Sequence, residues 1–93
     1  MRLSLKEQHL IKQTIDSFDK EALVYLFGSR VDDKKKGGDI DLLVLSKKLG
    51  FTEKIKIKIK LYELLGEQKI DLIITNDTSK PFIQVVLEQA VLL

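Results

Sequence analysis

Early in the chain Leu10, Ile11, Ile15 and Phe18, with Thr14 among them, recur at helical spacing. Ahead of them Ser4 and Glu7 form a capping box, so the pattern predicts an amphipathic helix over 4–18. "ALVYLF" at 22–27 is short, rich in β-formers and stopped by Gly28, which predicts a buried strand. Residues 29–38 are polar and end in Gly37-Gly38: a loop, with room for a helical turn after Ser29. "DIDLLVL" at 39–45 and "KIDLIIT" at 69–75 read as further buried strands. Residues 53–65 have two readings. The alternation in "EKIKIKIKL" fits a half-buried strand, whereas Ile57, Leu61, Leu64 and Leu65 line one side of a helix. Length and the following Gly66 favour the helix, with the isoleucines of 55–59 in the core. Residues 76–79 are a turn, and Pro81 opens a last helix running to about Leu92. The expected fold class is α/β (α+β): a small mixed sheet flanked by helices, in a single domain over 1–93.

Composition narrows the field. The chain has 93 residues, 44% hydrophobic and 32% charged, which is globular and not disordered. It contains no cysteine, so thiolate metal sites and disulfides are excluded and a reducing cytoplasm is the expected setting. No run approaches the roughly 18 apolar residues of a membrane span. The net charge of +2 is low for a protein that grips duplex nucleic acid by its backbone.

Asp39 and Asp41 open the most apolar run of the chain. Two apart on a strand, they leave the same face. Burying two carboxylates side by side without a partner is costly, and a hard divalent cation such as Mg²⁺ resolves the repulsion. Asp71 enters the third strand in the same way. If the two strands are neighbours, three carboxylates form the ligand set of a two-metal phosphoryl-transfer site. Gly28-Ser29, at the end of the first strand, offers backbone N–H groups and a hydroxyl to a phosphate.

These residues carry a resemblance. "LFGSR", a nine-residue spacer from Arg30 to Gly38, "DID" in a strand and "KIDLI" in a later one are similar to the signature of the nucleotidyltransferase superfamily related to DNA polymerase β. Within it the chain most resembles the minimal nucleotidyltransferases, short proteins commonly encoded beside a helical HEPN protein as toxin–antitoxin pairs. The resemblance implies the polymerase β-like fold, two Mg²⁺ ions on Asp39 and Asp41, and Asp71 on the catalytic ion, activating the acceptor hydroxyl. It places the ATP phosphates on Gly28 and Ser29, with Arg30 as a further phosphate ligand or a surface arginine. It also implies AMP transfer to a protein hydroxyl, such as a tyrosine of a HEPN partner. Two other readings stay open: a non-catalytic antitoxin that neutralises its partner by binding, and a small-molecule nucleotidyltransferase.

The remaining candidates have plainer readings. His9 is read as surface, Tyr25 and Tyr62 as packing residues, and Lys34, Lys35 and Lys36 as a solvated loop. The apolar stretch from Phe82 to Leu93 surrounds its expected helix on more than one side. That predicts a contact with a second copy or with a HEPN protein.

Overall fold

The computed structural model describes residues 1–34, 38–66 and 68–93. Lys35, Lys36 and Gly37 of the expected basic loop lie outside the described residues. Among the described residues three α-helices, α1 (Leu5–Phe18), α2 (Phe51–Leu65) and α3 (Pro81–Gln89), accompany four strands, β1 (Leu23–Phe27), β2 (Ile40–Leu45), β3 (Ile70–Thr75) and β4 (Val91–Leu92). The strands form one mixed sheet in the order β3-β2-β1-β4. β1 runs antiparallel to both β2 and β4, and β2 runs parallel to β3. The α+β architecture expected from the pattern is the one observed.

The α1 N-terminus forms as its sequence predicts. Ser4 Oγ accepts the Glu7 N–H at 3.0 Å, and Glu7 Oε1 accepts the Ser4 N–H at 3.0 Å. Residues 53–65 are helical, and the helix starts earlier, at Phe51, because Glu53 Oε1 accepts the Gly50 N–H at 2.8 Å. Alternation along β2 divides the core in two. Ile40, Leu42 and Val44 join Val24, Leu26 and Leu72 beneath Ile11 and Ile15 of α1 and Ile57 and Leu61 of α2. Leu43 faces the other way, against Ile83 and Val86 of α3, with Tyr25, Phe27 and Ile73 around it. A strand covered on both faces explains the unbroken apolar run "LLVL" at 42–45.

Three expectations are corrected. The last helix stops at Gln89, and Ala90, at ψ 150°, turns the chain into β4, where Val91 pairs with Leu26 and Leu92 with Tyr25. Leu93 then donates its N–H to Val24 O at 2.8 Å and packs on the main core. The sheet, not a longer helix, thus takes up the terminal apolar residues. Of the isoleucine stripe only Ile57 is core; Ile55 and Ile59 stand exposed beside Phe51 and Tyr62. A 15-residue helix against one sheet face can bury only one of its sides. Tyr62 is likewise half exposed and is not a packing residue. His9 is on the surface, as expected. Among the described residues no helix is long and apolar enough to cross a membrane.

Candidate active site

β1 ends in Phe27, which lies opposite Asp41 on β2; Asp41 in turn lies beside Asp71 on β3. In a parallel pair, register neighbours point to the same face, about 4.8 Å apart. Both acids therefore rise from the α3 face of the sheet, at the end where β1 runs into Gly28. Asp39 lies just before β2, and its Oδ2 is 3.4 Å from Lys69 Nζ. All three carboxylates are half-buried.

The electrostatics follow from that crowding. Partial burial pushes the Asp41 carboxyl up to about 6, helped by a hydrogen bond with Asp71 and by the negative charges of Asp71 and Asp39, while Lys69 pulls the other way. Asp41 thus keeps its proton to higher pH than an ordinary carboxyl, as expected of a group short of a neighbouring positive charge. Among the described residues no group of three or more acidic, histidine or cysteine side chains is drawn together as a metal cage. Asp39 is instead paired with Lys69. The donor set is all oxygen and centres on two adjoining carboxylates, which suits Mg²⁺, an ion usually held by one or two carboxylates together with substrate phosphates. The Asp41–Asp71 pair fits the ion; the expected third ligand, Asp39, is held by Lys69 and is not gathered with the pair into a three-carboxylate cage.

Gly28 closes the site from the β1 side. Its φ is +78°, and a Cβ built on it would fall on Asp41 Oδ2. Gly28–Val31 form a 3₁₀ turn that no side chain caps. This is the helical turn expected there, though it begins one residue before Ser29. Ser29 is equally tight against Gly38, whose missing Cβ would meet Ser29 Oγ. The Gly-Ser pair, the β2 start and the β3 start therefore meet at one corner.

Arg30, expected either at a phosphate or on the open surface, has its guanidinium engaged by protein. Nε donates to Gly38 O at 3.2 Å, Nη1 to Arg2 O at 2.9 Å and Nη2 to Gln68 Oε1 at 3.0 Å. Arg2, Gln68 and Lys69 were not singled out by the sequence. Lys69 had a signal: it shares strand parity with Asp71, as Asp39 does with Asp41. Once Asp41 and Asp71 are in register, Lys69 must stand beside Asp39. Arg2 and Gln68 had none, because their contacts join distant segments.

A cleft of about 280 Å³ lined by Asp19, Leu23, Ser46, Lys48 and Asn76 lies at the opposite end of the strands. It shares no residue with the acid corner, and the concentration of carboxylates marks the corner, not the cleft, as the chemical site.

A family model described as Polymerase beta, Nucleotidyltransferase matches residues 9–93. The chain belongs to this family. The match takes in every strand and all three aspartates. The mixed sheet with its three helices is a polymerase β-like nucleotidyltransferase fold, and membership makes the protein a nucleotidyltransferase at the general level. Such domains generally act on a nucleoside triphosphate with Mg²⁺. A comparison with curated proteins finds no match.

Proposed function

We propose that the protein transfers AMP from ATP to a protein hydroxyl, a tyrosine of a HEPN partner, and so acts as an antitoxin in the cytoplasm. The observation that carries the transfer chemistry is the Asp41–Asp71 pair in register, with Gly28 pressed against Asp41. The acceptor and the partner rest on the resemblance to minimal nucleotidyltransferases.

In this reading Asp39, Asp41 and Asp71 are catalytic and hold two Mg²⁺ ions. Mg²⁺ bound there would neutralise charge on the phosphates and on the entering and leaving oxygens. Asp71 accepts the proton of the acceptor hydroxyl. The freed oxygen attacks the α-phosphorus in line, the bond from that phosphorus to the bridging oxygen breaks, and pyrophosphate leaves. Gly28 and Ser29 hold the β- and γ-phosphates through backbone N–H groups and the serine hydroxyl. Phe27, opposite Asp41, walls the carboxylates on the β1 side.

The test is incorporation of label from α-labelled ATP into a co-expressed HEPN protein, with wild type and Asp41→Ala compared. Label that disappears in the variant supports the reading. Neutralisation of the partner that survives Asp39→Ala plus Asp41→Ala identifies a binding antitoxin instead.

A further inference from the structure

The site corner is built from three chain segments far apart in sequence: the 3₁₀ turn carrying Gly28-Ser29, the run into β2 carrying Asp39, and the run into β3 carrying Lys69 and Asp71. Arg30 touches all three. It belongs to the first by the backbone, holds the second through Gly38 O and reaches the third through Gln68 Oε1.

The bracket extends outward. Gln68 Nε2 donates to Leu65 O at 2.8 Å, at the end of α2, and to Glu7 Oε2 at 3.2 Å, in the first turn of α1. On the other side the Arg2 N–H donates to Arg30 O at 2.7 Å, Arg30 Nη1 returns a bond to Arg2 O, and Arg2 Nη2 donates to Ser29 O at 2.9 Å. Just inside the bracket the Ile40 N–H donates to Lys69 O at 3.0 Å, the backbone bond by which β2 meets the β3 start.

A guanidinium is a rigid planar fork. With three of its N–H groups fixed on acceptors from three segments, its plane is set by the protein. The spacing of the Gly-Ser turn from the two acid-bearing strands is set with it. We propose that Arg30 and Gln68 are positioning residues: together they fix the distance between the phosphate-holding turn and the carboxylate pair, and Arg30 acts through that geometry and not as a ligand of the nucleotide. The proposal rests on the reading of Gly28-Ser29 and the aspartates as one site. Nothing in the local pattern around Gln68 marks it.

Lysine separates the two roles. A lysine at position 30 keeps the positive charge a phosphate needs but lacks the fork that joins three acceptors. Glutamate at position 68 keeps an acceptor for Arg30, and leucine removes it. The experiment measures ATP affinity with Mg²⁺ and kcat for Arg30→Lys, Gln68→Leu, Gln68→Glu and the Arg30→Lys/Gln68→Leu double variant. It also measures amide exchange of Ile40 in the nucleotide-free protein.

Arg30→Lys and Gln68→Leu should each lower kcat by about 10- to 100-fold, the scale of a small misplacement of reacting groups, with ATP affinity changed less than about threefold. The double variant should be no worse than the weaker single, since both break one bracket. Gln68→Glu keeps the acceptor for Arg30 but loses the Nε2 bonds to Leu65 O and Glu7 Oε2 and sets a second carboxylate beside Glu7, so its kcat should fall between wild type and Gln68→Leu, and Ile40 should exchange faster in the two damaging variants. Arg30→Lys with unchanged kcat overturns the proposal. So does weakened ATP binding in Arg30→Lys with Gln68→Leu unaffected, or unchanged Ile40 exchange in both. The exchange measurement needs no turnover, so a protein without transfer activity would refute the proposed function while still deciding whether the bracket exists.

Discussion

Gly28 and Asp41 are packed so closely that no side chain fits between them. Two constraints meet at this glycine. Its φ of +78° disfavours any L side chain, and the carboxylate occupies the Cβ position. Gly28→Ala should therefore cost about 1–3 kcal/mol from the backbone alone, and it should displace Asp41. Urea unfolding measures the first effect and loss of nucleotidyl transfer the second. A variant with wild-type stability and activity would remove Gly28 from the site.

Asp41 makes the metal-free protein less stable as pH rises. Its carboxyl titrates at about 6 in the fold against 3.8 ordinarily, so the folded state holds a proton that the unfolded chain releases. That contribution is complete below 3.8 and is lost as pH passes through about 6. Asp41→Asn lacks this dependence. Its melting temperature relative to wild type should climb between pH 4 and roughly pH 7 and then level off. Parallel curves would mean that the acids do not repel.

Asp19 works in the opposite direction. The Ser46 hydroxyl, donating to Asp19 Oδ2 at 2.6 Å, and then the Glu21 N–H hold this carboxyl below its ordinary 3.8. Its contribution is present above that value and is lost as pH falls through the lowered one. Ser46→Ala should destabilise the protein at pH 7, and the deficit should shrink under acid conditions. Thermal melts of both proteins across the acid range test this, and a deficit independent of pH would assign Ser46 to packing alone.

Ligands should reverse the strain at the acid pair. ATP with Mg²⁺ at a hundred times its Kd should stabilise the fold by about 2.7 kcal/mol. Asp41→Ala should abolish that gain in a thermal-shift series. Asp71→Asn should lower turnover by about 10²- to 10⁴-fold, the range for loss of a general base.

On α3, Val86 is core while Phe82 and Val85 are about 60% exposed. Val86→Glu should unfold the domain, because it buries an unpaired charge against Leu43. Phe82→Glu with Val85→Glu should leave the circular dichroism spectrum and melting temperature near wild type. If that double variant also loses a HEPN partner in sedimentation, α3 forms the contact surface.

The acid pair was legible because strand parity is a local rule: positions 39, 41 and 71 announce their face once each run is read as a strand. β4 was not. Val91 and Leu92 continue a helical apolar pattern, and α3 ends at Gln89, followed by Ala90 and not by the glycine or proline that normally signals a stop. What ends it is the free edge of β1, which is visible only in three dimensions. The capping box of α1 was readable for the same reason as the strands, with both partners three residues apart. Arg30 was noticed for its motif, but its acceptors, Arg2, Gly38 and Gln68, lie up to 38 residues away and share no pattern with it.

The parallel pairing of β2 with β3 also constrains how the protein comes to exist in time. Asp41 and Asp71 belong to strands that can meet only after the chain has crossed over through α2, a closure slower than any hairpin. The same closure that completes the sheet also brings two like charges together. A chain in which β2 and β3 have not yet paired cannot display the carboxylate pair, so its appearance during refolding is a clock for the α2 crossover.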